Sequence, residues 1–219
     1  MKQGYFITGT DTNAGKTWAT IALMRYFKQR GKYVVGMKPV ASGCFMQDGE
    51  LKNEDALLIQ ENASLKIAYD LINPYAYELP VSPHIAGYNN PVKLANIVEK
   101  FNALKAVADI VLVEGAGGWY APLNDCEDIS DLAKALALPV ILVVAIRLGC
   151  INHAKLTYEA IQHSGILCAG WIAVCVDPDM LNRDENICTV KTALNVPLLG
   201  VLPYLASADF DLLAGQLAL

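Results

Sequence analysis

The chain is poor in the residues that mark several common functions. It has three histidines, and its six cysteines, at positions 44, 126, 150, 168, 175 and 188, form no Cys-x-x-Cys pair. Zinc sites need such residues at short fixed spacings, so none is expected. Cations are not in excess: Lys and Arg total 17 against 22 Asp and Glu, a formal net charge of −5. A mildly acidic chain is a poor partner for nucleic acid or an anionic membrane, although a few local donors suffice for a small anion. Long apolar runs are also missing. The longest, Ala135 to Ile146, is interrupted by Pro139. It is too short to span a bilayer and reads as a helix end, a turn and a buried strand. Near the N-terminus the polar residues Thr8 to Asn13 break up the apolar segment, so no secretory signal is expected. Reduced thiols in a cytoplasmic protein fit this composition. No linker, repeat or low-complexity tract divides the sequence, so residues 1–219 are read as one domain.

What is present is an alternation of apolar strands and amphipathic helices. Strands are predicted at Tyr5 to Thr8, Val34 to Met37, Asp109 to Val113, Val140 to Ile146, Cys168 to Val176 and Leu198 to Leu202. Helices are predicted at Lys16 to Arg30, ended by Gly31, and at Glu54 to Gln60, Leu94 to Ala106, Asn152 to His163 and Thr189 to Leu194. Ile72 to Pro91, with four prolines, reads as an ordered loop region. Several strands are apolar at every position, as in a mainly parallel sheet covered by helices on both faces. This is an α/β fold of the P-loop NTPase kind, whose ligands sit at the carboxyl ends of the strands. Three unusual segments follow strands in that way: Gly9 to Thr17, Lys38 to Gly43 and Glu114 to Gly118.

The first of these segments is a phosphate loop. The usual pattern has glycine five residues before Gly-Lys-Ser/Thr. Here Gly15-Lys16-Thr17 is present, but Thr10 stands at the expected glycine and Gly9 comes one residue early. The cradle depends more on successive backbone N–H groups at a helix start than on that one glycine. Asn13, Ala14, Gly15 and Trp18 are then cofactor-binding positions beside Lys16, which would bridge the β- and γ-phosphates of ATP, and Thr17, whose hydroxyl suits Mg²⁺. The bland alternative is a helix cap with an incidental lysine. Glu114, at the end of an apolar strand and followed by Gly115, Ala116 and Gly117, is the best carboxylate for Mg²⁺. Asp109 lies at the wrong end of that strand. Asp55 fits either Mg²⁺ or an ordinary helix start. Lys38 either faces the phosphates or is a solvated strand-end lysine.

Taken together, these segments resemble the dethiobiotin synthetase family. The resemblance rests on Tyr5 to Thr12, Gly15-Lys16-Thr17, Lys38-Pro39-Val40-Ala41-Ser42-Gly43 and Asn53-Glu54-Asp55-Ala56-Leu57. It continues through Asn73-Pro74-Tyr75, Ser82-Pro83-His84, Val113 to Trp119 and Leu148 to His153, covering residues 4 to about 205. The early Gly9 with Thr10 and Thr12 belongs to that family's loop. The resemblance implies an ATP- and Mg²⁺-dependent ligase that closes a ureido ring on 7,8-diaminopelargonic acid with CO₂, giving dethiobiotin, ADP and phosphate. An amine takes up CO₂ as a carbamate, the γ-phosphoryl group passes to the carbamate, and the second amine attacks the carbonyl as phosphate leaves. It further implies Thr17, Asp55 and Glu114 as Mg²⁺ ligands, Lys38 and Lys16 as catalytic, and Thr12 and Ser42 as substrate contacts. Gly149, Cys150 and Asn152 would receive the substrate's carboxylate tail across the interface of a homodimer. Asn152 also suits ordinary helix capping, and the two roles are compatible.

One departure has a consequence. The family often has an Asn-Asp pair that reads adenine where this chain has Val174-Cys175. Base recognition then falls to backbone groups near Pro203-Tyr204-Leu205 and to apolar packing, and weaker discrimination between ATP and other nucleoside triphosphates is expected. Two rival readings share the fold. A regulatory ATPase switch usually carries another lysine early in the loop, where this chain has Thr10-Asp11-Thr12, and it needs a basic or amphipathic surface. An amidating ligase needs an ammonia source, and the chain has no room for a glutaminase domain.

Overall fold

The computed structural model describes residues 3–219; Met1 and Lys2, the start of the expected domain, lie outside the described residues. The chain opens with β1 (Gln3–Gly9), α1 (Lys16–Lys28) and β2 (Val34–Met37). Short elements follow: β3 (Val40–Ser42), β4 (Phe45–Gln47), β5 (Glu50–Lys52), α2 (Glu54–Asn62), α3 (Tyr69–Ile72), β6 (Tyr75–Tyr77) and α4 (Pro83–Ala86). The second half is α5 (Leu94–Val107), β7 (Ile110–Gly118), α6 (Ile129–Leu136), β8 (Val140–Ile146), α7 (Cys150–His163), β9 (Cys168–Cys175), α8 (Arg183–Ala193), β10 (Leu198–Leu202) and α9 (Phe210–Ala214).

Six strands form one sheet in the order β10-β9-β8-β1-β7-β2, and every pairing is parallel. All seven residues of β8 are buried, which requires cover on both faces and explains why its sequence has no polar alternation. Against β1, β2 and β7 lies α1, which also packs on α2 and α9; α7 and α8 pack on each other and on β8. Among the described residues no helix is long and apolar enough to cross a membrane. All six cysteines are free thiols.

Most long strands match the expected spans closely, but β7 runs past the expected Val113 to Gly118, so Glu114 to Gly118 lie within the strand rather than after it; the region from Ile72 to Pro91 does not stay a loop. It contains β6, which pairs in parallel with β3, and the single-turn α4. Three-residue strands carry too little periodicity to be read in a Pro- and Tyr-rich segment. The β4–β5 hairpin was also unmarked, although it turns at Asp48-Gly49, both in left-handed conformation at φ 52° and 81°. Asp-Gly is the residue pair such a turn prefers. α8 starts six residues before the expected Thr189. Its first turns are polar and show no apolar stripe.

Candidate active site

The phosphate loop joins β1 to α1. Gly15 caps α1 at φ 85°, and a Cβ on it would lie 2.6 Å from Val174 Cγ1 at the end of β9. Glycine is thus required by the backbone angle and by a packed neighbour. Lys16 folds back along the loop, and its Nζ donates to the Asp11 carbonyl at 2.8 Å. The Asp11 carboxylate accepts from Thr12 N–H at 2.7 Å and pairs with Arg147 at 2.9 Å. Beneath the loop, β7 runs through its glycines beside β1, and the register shifts between Ile7 and Gly9 so that Gly118 stands opposite Gly9. Gly117 needs its hydrogen side chain, since φ is 64° and a Cβ would meet Ala121 at 2.9 Å.

Four chain segments converge on one charged cluster. Lys38 Nζ donates to Glu114 Oε1 at 2.5 Å and to Asp55 Oδ2 at 3.1 Å. Thr17 Oγ1 donates to the same Glu114 oxygen at 3.0 Å. Glu114 is fully buried, and its Oε2 has no partner. A buried carboxylate oxygen without a donor is a vacancy in hydrogen bonding that a cation fills well. Among the described residues no cluster of three His, Cys, Asp or Glu exists. Mg²⁺ does not need one, because it is commonly held by one or two carboxylates together with substrate phosphates. Thr17, Asp55 and Glu114 therefore fit Mg²⁺ as a donor set.

Electrostatics divides the two lysines. Burial pushes Lys16 down to about 8, with Lys38 adding repulsion and Glu114 opposing it. Burial acts on Lys38 in the same direction, but the Glu114 and Asp55 carboxylates outweigh it and hold this amine well above its ordinary value. Burial raises Asp55, and Lys38 beside it brings it below the usual carboxylate range. Lys38 is thus a fixed positive charge rather than a base.

One cavity of about 850 Å³ holds the constellation. Its lining draws on the phosphate loop and start of α1 (Thr12, Asn13, Gly15, Lys16, Thr17 and Trp18), on Lys38, Ser42 and Asp55, on Glu114, Ala116 and Gly117 of β7, and on Pro80, Val81, Ser82 and Pro83. Ser42 Oγ is buried there without a partner.

The comparisons with known proteins now bear on this geometry. A family model described as an AAA domain matches residues 3–210. The ATP-dependent dethiobiotin synthetase BioD of Aromatoleum aromaticum is 46% identical over 219 residues, 99% of this chain and 97% of its own length. The ATP-dependent dethiobiotin synthetase BioD of Cellvibrio japonicus is 43% identical over 220 residues, 100% of this chain and 96% of its own. This chain belongs to the dethiobiotin synthetase family. Solved structures agree on the fold alone. The MinC:MinD cell division protein complex of Aquifex aeolicus superposes with a TM-score of 0.59 at 16% identity, covering 93% of this chain and 82% of that one. Chloroplast FtsY from Physcomitrella patens gives 0.58 at 19% identity, covering 96% and 60%.

Against the dethiobiotin synthetase expectations, the structure unites Thr12, Asn13, Gly15, Lys16, Thr17, Trp18, Lys38, Ser42, Asp55, Glu114, Ala116 and Gly117 around one cavity. Ala14 is fully buried behind the loop, and Gly115 lies within β7. Pro203, Tyr204 and Leu205 follow β10, outside that lining, as do Gly149, Cys150 and Asn152 at the start of α7. The capping role for Asn152 is corrected: Gly149 caps α7 at φ 91°, with no side-chain cap, and Asn152 is already inside the helix. The left-handed angle, not a side-chain acceptor, turns the chain there.

Sequence reasoning assigned no role to the residues that aim Lys38. Asn73 is buried and donates to the Lys38 carbonyl at 2.7 Å. Tyr69 Oη donates to Asn73 Oδ1 at 3.1 Å and accepts from Asn53 N–H at 2.8 Å. Asn53 in turn caps α2, accepting from Ala56 N–H at 3.2 Å. This chain of bonds ties Lys38 to the helix that carries Asp55. Asn before Pro74 was the available signal, but the residue it steadies, Lys38, is distant in sequence.

Proposed function

We propose that this protein catalyses ATP-dependent ring closure of 7,8-diaminopelargonic acid with CO₂ to give dethiobiotin. The observation that carries the reading is the Lys38 ammonium set between Asp55 and Glu114, in the same cavity as Lys16, Thr17 and the unpartnered Ser42 hydroxyl. The reaction must bring a carbamate and a γ-phosphate together, two anions that repel. A fixed cation beside the phosphate loop lowers that repulsion before any bond changes.

In this reading one substrate amine attacks CO₂ and loses a proton, giving the carbamate. A carbamate oxygen then attacks the γ-phosphorus and ADP leaves. The second amine attacks the carbonyl of the mixed anhydride, phosphate departs, and a proton is released as the ring closes. Lys38, held protonated by its two carboxylates, neutralises carbamate and transferring phosphoryl oxygens. Lys16 swings from the Asp11 carbonyl to the phosphates, which repay its charge for being buried. Ser42 and Thr12 orient the diamine. Thr17, Asp55 and Glu114 would hold Mg²⁺, which supplies charge neutralisation at the phosphates. Gly149, Cys150 and Asn152 would serve the carboxylate tail in the partner's site of a homodimer. The six free thiols suit a cytoplasmic enzyme.

The test is incubation of the protein with ATP, Mg²⁺, bicarbonate and diaminopelargonate, with dethiobiotin followed by mass spectrometry. Product that requires every component is the expected result. Folded protein that makes none overturns the reading.

A further inference from the structure

Lys16 and Thr17 fix where phosphates sit, but the base needs a surface of its own. Next in sequence is Trp18, one of the residues lining the same cavity. Partly buried, it packs against the core as the third residue of α1. Its outer neighbour is Phe210, the first residue of α9, with ring centroids 5.9 Å apart and planes at 71°. That edge-on contact braces the indole beside the cavity that Trp18 lines.

The brace is itself anchored. Tyr26 Oη donates to the Leu219 carbonyl and accepts from its N–H, both at 3.0 Å. Gln29 donates to Asp211 at 3.4 Å, and Asp209 caps α9 by accepting from Leu212 N–H at 2.9 Å. The apolar terminal stretch thus folds back along α1. On the other flank of the loop, Val174 is 5% exposed and pressed against Gly15, and Cys175 is 4% exposed. Neither offers a hydrogen-bonding amide or carboxylate to a base edge.

We infer that Trp18, held by Phe210 and the C-terminal segment, is the stacking platform for the nucleobase, so that the site grips the base by its face rather than by its edges. The inference rests on the ATP reading above and adds the means of base recognition. Stacking on an aromatic side chain accepts every base, because every base has a π-face. Trp18 is a binding residue in this scheme and Phe210 a positioning residue.

The experiment is calorimetric titration of the full chain, in Mg²⁺, with ADP, GDP, CDP and inorganic tripolyphosphate. Trp18→Ala should weaken all three nucleoside diphosphates about tenfold, equivalent to about 1.4 kcal/mol, and leave tripolyphosphate unchanged. Trp18→Phe should recover most of that loss, and Phe210→Ala should weaken the nucleosides about threefold with tripolyphosphate again unmoved. ADP binding unaffected by Trp18→Ala overturns the proposal. So does an equal loss for tripolyphosphate, which would make Trp18 only a support for the loop. If Trp18→Ala does not fold, the emission difference between the natural chain and Trp18→Phe decides, since Trp119 and Trp171 are buried at 3% and 0% exposed. ADP, and not tripolyphosphate, should change that difference; no ADP-specific change overturns the proposal. Dethiobiotin formation by the natural chain is measured separately, so loss of the functional reading and loss of this inference are distinguishable.

Discussion

Replacing Lys16 by methionine should make the nucleotide-free protein more stable while removing its use of ATP. Lys16 is 6% exposed, and burial with repulsion from Lys38 lowers it from 10.5 to about 8. That drop corresponds to roughly 3 kcal/mol of penalty on the charged amine in the folded state. Methionine removes the charge and keeps most of the hydrocarbon volume. It also loses the bond to the Asp11 carbonyl, a charge-assisted contact of about 1.5–3 kcal/mol. The net expectation at neutral pH is stabilisation by up to about 1–2 kcal/mol. The sign of the pH dependence follows from linkage. A depressed lysine contributes stability above its unfolded value of 10.5 that is lost as pH falls through about 8. The natural chain should therefore gain on Lys16→Met by roughly 3 kcal/mol between those two pH values. Urea unfolding of both proteins at pH 7 and pH 10, without nucleotide, measures the two differences. A gap between the proteins that stays constant with pH refutes the reasoning. Adding MgADP at pH 7 should reverse the order, because phosphate repays the amine's burial only in the natural chain.

Three further outcomes follow from the same contacts. Lys38→Ala should abolish turnover, but it also strands the fully buried Glu114, so a loss of about 3–5 kcal/mol is expected. The double variant with Glu114→Gln should recover part of the loss in a urea-unfolding cycle, and simple additivity would count against the pairing. Gly15→Ala should weaken ADP binding and lower stability, both from φ 85° and from Val174. Adding Val174→Ala should restore some stability, and no restoration would mean that the backbone angle dominates. Tyr26→Phe should free the chain end held at Leu219, at about 1 kcal/mol, and carboxypeptidase should then trim the tail faster than in the natural chain.

How much of the site was legible in the sequence depended on the range of the interaction. Gly15-Lys16-Thr17 is local: a strand, a loop and a helix start declare themselves within a few residues, so its place between β1 and α1 could be read directly. Glu114 was readable because a carboxylate directly after an all-apolar run has few structural reasons to be there, although β7 continues past it to Gly118. Asp55 and Lys38 stayed ambiguous, each matching an ordinary helix start or strand end. Only long-range packing pairs them, through the bonds from Lys38 to Asp55 and Glu114.

The sequence by itself determined the parallel α/β architecture, the phosphate loop and, through many matched segments, the family. Those properties are written in periodicity and short motifs, which survive being read along the chain. Tertiary structure alone decided that Lys38 lies between the Asp55 and Glu114 carboxylates, that Glu114 keeps one oxygen without a donor, and that Val174 closes on Gly15. It also decided that the apolar end of the chain braces Trp18. Each of these depends on burial and on partners far away in sequence, and desolvation energy has no one-dimensional signature.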